Sequence, residues 1–187
     1  MSHVRFAGGD HQTHSARIPS RAASVVIGCD PVVASSADSI RMMAPGLTSV
    51  VANRFVAPTS AFAGSPDMAF DFHVLENVIA ERTGADRVFG FEATRIATSL
   101  LGDAIGANLF LVGAAWQKGL IPLQRASIEA AIDINGTAKE MNRKAFDLGR
   151  LAAARPDAVV SLLKSTEAKP VVEQTLEEIV ASRTAHL

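Results

Sequence analysis

The chain has 187 residues, 48% of them hydrophobic and 20% charged, so it has the length and content for one globular domain with a buried core. The net charge of −1 supplies no field to attract nucleic acid or an anionic membrane, and the 5% of aromatic residues argues against base-stacking surfaces. The single cysteine, Cys29, excludes an internal disulfide and a four-thiolate iron-sulfur cluster.

The start of the chain predicts a strand and no targeting signal. Ser2 to Phe6 alternates polar and apolar residues, as a strand does. Residues 1–10 lack the cationic region and the apolar run of a secretory signal, so we expect a cytoplasmic protein. His11 and His14 lie three residues apart, but the preceding Gly-Gly-Asp favours a loop, and we expect no metal site there.

Three short runs have the pattern of buried parallel strands: Ser24 to Gly28, Thr48 to Ala52 and Arg87 to Phe91. Helical segments lie between them. A capping box of Ser35 and Asp38 opens a helix to about Met43, and an amphipathic pattern covers Asp71 to Thr83. Strands that alternate with helices predict an α/β layer fold with a parallel sheet.

The stretch from Thr94 to Leu120 predicts one buried helix around which the domain is organised. Arg95 and Asp103 precede its apolar run and Lys118 ends it, so the run is too short to span a membrane. Three glycines on one stripe of this helix predict a groove that another backbone approaches closely: Gly102, Gly106 and Gly113.

Asn108 is the one polar residue between Ala104 and Trp116. A buried amide without partners costs about 1 to 3 kcal/mol, so we expect the side chain to be hydrogen-bonded. Two interpretations stand: Asn108 clamps a neighbouring loop, or it contacts a ligand.

After Leu120 the pattern predicts helices only. A helix from Leu123 to Ile134 ends at Asn135-Gly136, residue types that accept a left-handed cap. Thr137 then caps a second helix that runs to about Ala154. We place a domain boundary after it: residues 1–154 form the main domain, and residues 155–187 form a helical tail or interface segment with a final helix near Val171 to Ser182.

Polar or reactive residues follow each predicted strand. Ligands of open parallel sheets bind beyond the carboxyl ends of the strands, so five residues should share one edge: Cys29, Asp30, Asn53, Glu92 and Thr94. Asp30 suits an Asx turn, and it also suits an acceptor for a ligand or a partner subunit. Cys29 suits a small buried residue better than a nucleophile, because no paired histidine is evident near it in sequence.

The familiar cofactor motifs are missing. There is no GxGxxG after a strand, no GxxxxGK[ST], no CxxC and no HExxH. The residues alone therefore predict an α/β domain with a helical C-terminal part.

Several stretches nevertheless resemble the gamma domain of the 2-oxoacid:ferredoxin oxidoreductases, most closely that of the fused indolepyruvate ferredoxin oxidoreductases. The stretches are SHVR at Ser2 to Arg5, VIGCDPVVAS at Val26 to Ser35, Asn53 with Pro58-Thr59, EATRIATSLLGDAIGANLF from Glu92, AWQKGLIPL from Ala115, and INGTAKEMNRKAFDLGRLAA from Ile134.

The resemblance implies a Rossmann-like three-layer domain with a mostly parallel sheet and a helical C-terminal part. Enzymes of that family oxidise 2-oxo acids to acyl-coenzyme A (CoA) with thiamine diphosphate, Mg²⁺ and iron-sulfur clusters, and pass electrons to ferredoxin. This chain would be the domain that packs against the thiamine-binding domains, near the CoA site. The resemblance implies no catalytic residue in this chain. It implies five positions close to a cofactor, which are Asp30, Asn53, Thr59, Thr94 and Asn108.

The chain departs from that family in two ways. A strand, a glycine-rich turn and a helix precede the SHVR strand in family members, which makes this chain resemble a fragment. The thiamine motif and the cluster cysteines are also missing, so we expect the chain alone to bind no cofactor and to be inactive. If the missing strand belongs inside the sheet, its absence favours a homo-oligomer paired at that edge. The alternatives are a free-standing nucleotide or CoA-binding module and a purely structural interaction domain.

Overall fold

A computed structural model describes residues 2–6, 17–57 and 72–167. Its sheet has three parallel strands in the order β1-β2-β3, which are β1 Val25–Gly28, β2 Ser49–Asn53 and β3 Val88–Phe91. The described residues form α1 Pro31–Ala34, α2 Ala37–Met42, α3 Phe72–Thr83, α4 Ala93–Leu101, α5 Ala107–Gln117, α6 Arg125–Asn135, α7 Lys139–Ala154 and α8 Pro156–Glu167. None of these helices has both the length and the apolarity needed to cross a membrane.

Apolar side chains on both faces of β2 build the core. Val51 packs into a cluster with residues of α4 and α5, including Ala97, Phe110 and Leu111. Val50 and Ala52, two positions apart on β2, pack into a second cluster with Met43, Phe72 and Ile79. Because successive strand residues point to opposite faces, the two clusters lie on opposite sides of the sheet. The predicted α/β, Rossmann-like layer fold with a parallel sheet is confirmed.

The predicted strand at Ser2 to Phe6 is wrong. These residues form no regular structure, and Val4 and Phe6 are exposed. One contact that ties them to the rest of the chain is a hydrogen bond from Ile18 N to His3 Nδ1 at 3.0 Å. Alternation alone does not make a strand, because a strand must also pair with another strand, and residues 2–6 pair with none of the three strands of the sheet.

The predicted helix from Thr94 to Leu120 is broken into two. Gly102 ends α4 in the left-handed conformation, with φ of 81°. Asp103 Oδ1 then accepts a hydrogen bond from Ile105 N at 2.9 Å and caps a short 3-10 turn that precedes α5. A glycine that accepts positive φ, followed by a capping aspartate, favours an end and a new start over continuation. The largely apolar composition of the segment favoured one continuous helix, so the break was not predicted.

The predicted close approach of another backbone occurs at Gly113, where α7 lies directly on α5. A Cβ atom at Gly113 would lie 2.8 Å from the carbonyl carbon of Phe146 and closer still to its oxygen. In return, a Cβ atom at Gly149 on α7 would lie 2.7 Å from the carbonyl carbon of Phe110. Each helix therefore presents a Phe-x-x-Gly unit to the other.

Smaller corrections concern the helix ends. Ser36, not Ser35, caps α2, with its Oγ accepting from Ser39 N at 3.4 Å. Gly136 takes the predicted left-handed conformation. Thr137 does not cap α7, because Ala138, with φ of 46°, occupies the N-cap position.

The α8 helix packs into the core through Val159 and Leu163. The boundary after Ala154 stays a prediction, although α8 shares the core cluster that contains α4 and α5.

Candidate functional site at the carboxyl ends of the strands

The five residues predicted to share an edge lie at the carboxyl ends of the three parallel strands. We name Cys29, Asp30, Asn53, Glu92 and Thr94 the strand-end cluster. The parallel register pairs Gly28 with Ala52 and Asn53 with Phe91, so the strands end side by side. Hydrogen bonds from Asn53 to Cys29 and Thr94 then link the ends of all three strands.

Asn53 holds the cluster together. Asn53 is 4% exposed, and its Nδ2 donates to the carbonyl oxygen of Cys29 at 3.3 Å and to Thr94 Oγ1 at 2.7 Å. Its Oδ1 accepts from Phe55 N at 3.3 Å and from Thr94 N at 3.4 Å. An asparagine amide has two donor hydrogens and two acceptor lone pairs, so the hydrogen-bonding capacity of Asn53 is filled by this chain. Asn53 is therefore a positioning residue in this structure.

Asn53 also caps α4 from a neighbouring strand. Glu92 stands at the N-cap position of α4, but its side chain makes no capping hydrogen bond. The amide N–H of Thr94, in the first turn of α4, instead donates to Asn53 Oδ1. Unpaired first-turn amides need an acceptor, and a side-chain cap contributes about 1 kcal/mol. The amide of Asn53 thus fixes where α4 begins relative to the sheet.

Asp30 has one committed oxygen and one available oxygen. Its Oδ1 accepts from Val32 N at 2.8 Å and from Val33 N at 3.3 Å, which caps α1 as an Asx turn does. Its Oδ2 accepts no hydrogen bond from the described residues, and the side chain is exposed. Asp30 therefore forms the predicted Asx turn and still presents a carboxylate oxygen at the sheet edge.

Cys29 is exposed rather than buried as predicted. Partial withdrawal of its thiol from water raises the pKa of Cys29, and the negative charge of Asp30 raises it further. A raised pKa keeps the group as a thiol at neutral pH, whereas nucleophilic attack needs the thiolate. The environment of Cys29 is therefore the opposite of that around an activated cysteine.

Asn108 does not join the strand-end cluster. The prediction that it is buried is wrong, because its side chain is exposed on α5. The break between α4 and α5 resets the helical phase, so a face extrapolated from α4 no longer applies. No hydrogen bond links Asn108 to the cluster within residues 2–6, 17–57 and 72–167. Thr59, like His11 and His14, lies outside the described residues.

Arg54 belongs to the same edge and was missed. Its backbone N–H donates to the carbonyl oxygen of Phe91 at 2.8 Å, which extends the pairing of β2 with β3. Its guanidinium carbon lies 5.7 Å from the ring centroid of Phe72 on α3. The sequence shows an arginine after Asn53, but only the fold shows that an aromatic ring lies against it.

The described residues taken alone supply no ligand set for the metal ion or the iron-sulfur cluster that the resemblance implies. Within those ranges, no group of three or more His, Cys, Asp or Glu side chains could hold a metal ion. The chain also has one cysteine, fewer than an iron-sulfur cluster needs. No chemical step on a metal ion or an iron-sulfur cluster is therefore assigned to these residues.

Comparisons with known proteins identify the family. A family model described as pyruvate ferredoxin/flavodoxin oxidoreductase matches residues 1–152, which is most of the chain. No curated protein and no solved structure matches. The match ends two residues before the end of α7 and covers the whole strand-end cluster. The chain therefore belongs to the pyruvate ferredoxin/flavodoxin oxidoreductase family, whose enzymes act on 2-oxo acids.

Proposed function

We propose that this chain is the gamma-domain portion of an indolepyruvate ferredoxin oxidoreductase, a structural and cofactor-proximal part of the enzyme rather than its catalytic centre. The observation that carries the proposal is the family match over residues 1–152. In the assembled enzyme, oxidative decarboxylation of the 2-oxo acid to acyl-CoA and the transfer of electrons to ferredoxin take place on other domains or subunits.

The strand-end cluster is the surface that we propose faces the thiamine-binding domains and the CoA site. Asn53 ties the ends of the three strands into one unit and has no hydrogen-bonding capacity left, so it positions its neighbours. Asp30 and Glu92 place two carboxylates on the exposed side of that unit. A rigid edge with exposed charged groups is suited to a fixed contact with another domain.

Three other positions complete the proposal. Thr94 takes part through its hydrogen bonds to Asn53, which place the start of α4 beside the cluster. Thr59 and Asn108 are proposed as cofactor-proximal on the resemblance alone. None of these side chains is assigned a proton transfer.

Titration of the purified 187-residue chain tests its proposed dependence on other domains. Calorimetry with thiamine diphosphate and Mg²⁺ should show no saturable binding, and the chain should not reduce ferredoxin with any 2-oxo acid. Turnover by the chain alone would overturn the proposal. Saturable CoA binding by the chain alone, lost in an Asp30→Asn variant, would favour the free-standing module instead.

The charge of Asp30 tests the contact in the assembled enzyme. Asparagine keeps an oxygen that can cap α1 and removes the negative charge, so Asp30→Asn should weaken the association of this chain with the thiamine-binding part while its folding is retained. Asp38→Asn is the matched control, because Asp38 is an exposed acid on α2 outside the cluster. Equal association for both variants and the unmodified protein would count against the contact.

The choice of substrate is tested separately. The oxidoreductase that contains this chain should turn over indolepyruvate with a higher kcat/KM than pyruvate. A preference for pyruvate would reject the indolepyruvate assignment and would leave the family membership intact.

A further inference from the structure

The α6 helix contributes less to the core than the α5 helix on which it packs. Two of its 11 residues, Ile128 and Ile132, are buried, whereas six of the 11 residues of α5 are buried. The two isoleucines pack with Phe146 of α7. Partly buried side chains of α5 lie against this cluster, and these are Leu109, Val112 and Trp116. Because each buried apolar side chain helps to hold a helix in place, α6 is the more weakly held of the two helices.

Exposed ion pairs fasten α6 to α7 near both ends of α6. Arg125 Nη2 lies 3.3 Å from Asp147 Oδ1. Asp133, near the other end of α6, pairs with Arg143. All four side chains keep between 39% and 50% of their surface exposed, so each pair is weak and is screened by salt. The attachment of α6 therefore depends on ionic strength, whereas the buried packing of α5 against α7 does not.

Backbone that permits a hinge lies on both sides of α6. Gly119 before the helix and Gly136 after it have φ of 73° and 77°. Ala138 then leads into α7 with φ of 46°, a conformation that a residue with a Cβ atom rarely adopts. A few residues at the ends of elements absorb the change in φ and ψ when one part of a protein moves against another. These positions allow α6 to move as one piece while α5 and α7 stay in place.

We propose that α6 is a strap that opens as a separate unit, held shut by its ion pairs to α7, while the sheet and α5 stay folded. Opening withdraws Ile128 and Ile132 and uncovers an apolar surface on α5 and α7, which consists of Leu109, Val112, Trp116 and Phe146. The chain presents this surface in the open state alone, so ionic strength sets the fraction of molecules that offer it.

The chain carries its own reporter of this opening. Trp116 is the one tryptophan of the sequence. Its Nε1 donates to the carbonyl oxygen of Leu123, in the segment that leads into α6, at 2.8 Å. Opening of α6 exposes the indole ring to water, so collisional quenching of its fluorescence by acrylamide increases with the open population.

Native-state hydrogen exchange of the 187-residue chain, read at single amides and corrected for intrinsic rates, tests the proposal. The amides inside α6 should share one opening and exchange at least about tenfold faster than the amides inside α5. A rise in NaCl from about 0.05 M to about 0.5 M should speed exchange in α6 about threefold and leave α5 unchanged. Exchange in α6 as slow as in α5, or independent of salt, would overturn the proposal.

A variant of one ion pair separates local opening from a loss of overall stability. Asp133→Asn removes a charge that faces Arg143, so it should speed exchange in α6 about threefold, increase the quenching of Trp116 and leave exchange in α5 unchanged. Asp38→Asn is the matched control, because it removes an exposed ion pair with Arg41 on α2 and should leave exchange in α6 unchanged. Equal acceleration of α5 and α6 by Asp133→Asn would overturn the proposal, because the two helices would then open together.

Discussion

The carbonyl oxygen of Phe146 occupies the space where a side chain at position 113 would begin, so Gly113 allows α7 to lie directly on α5. The same relationship holds in reverse between Gly149 and Phe110. The two phenylalanines are themselves buried, at 0% exposed for Phe110 and 1% for Phe146. A glycine inside a helix costs roughly 1 kcal/mol relative to alanine, and here the close approach of two backbones offsets that cost.

Substitution of Gly113→Ala should therefore destabilise the domain. The added methyl group meets backbone atoms, which cannot rotate away, so α7 must move off α5. We expect the free energy of unfolding in urea to fall by about 2 to 3 kcal/mol. Asn108→Ala is the control on the same helix, because Asn108 is exposed and should change the free energy of unfolding by about 0.5 kcal/mol or less. Equal effects at the two positions would contradict the packing described here.

Replacement of Asn53→Ala should loosen the strand-end cluster. It removes four part-buried hydrogen bonds that link the ends of the three strands. We expect a loss of about 3 kcal/mol in the free energy of unfolding, since each intramolecular hydrogen bond contributes about 0.5 to 1.5 kcal/mol. Thr94→Val keeps the shape and removes one partner, so its loss should be about 1 kcal/mol. A smaller effect for Asn53→Ala than for Thr94→Val would argue against a central role for Asn53.

The thiol of Cys29 should titrate above the ordinary range in the folded protein, because partial burial and Asp30 raise its pKa. The folded state then holds the proton to higher pH than the unfolded chain does. The resulting contribution to stability is complete below the ordinary thiol pKa and is lost as the pH rises through the raised value. Alkylation by iodoacetamide as a function of pH measures this midpoint, which Asp30→Asn should lower and Asp38→Asn should leave unchanged. A midpoint at or below the ordinary thiol pKa would contradict the account.

The outer edge of β1 predicts self-association. Within the described residues β1 pairs only with β2, and an unpaired strand edge is a template for another strand. We expect small-angle scattering and light scattering to report a mass that rises with concentration toward a dimer. A monomer at all concentrations would reject pairing at this edge.

The positions of β1, β2 and β3 were predictable because short apolar runs bounded by turn residues leave few alternatives, and the shared edge follows once these strands are parallel. The hydrogen bonds of Asn53 were not predictable, since its partners at Cys29 and Thr94 lie far away in sequence. The predicted burial of Asn108 was wrong for a different reason. A helical phase carried across Gly102 and Asp103 assigns faces to a helix that has already ended. Gly149 was visible in the sequence, but its partner surface at Phe110 exists only after α5 and α7 pack.

A structure of the assembled oxidoreductase that contains this chain tests the central claim most directly. The account predicts that the strand-end cluster, with the Asp30 carboxylate, is buried against the thiamine-binding part. A strand-end cluster that faces solvent in every copy of this chain would contradict it.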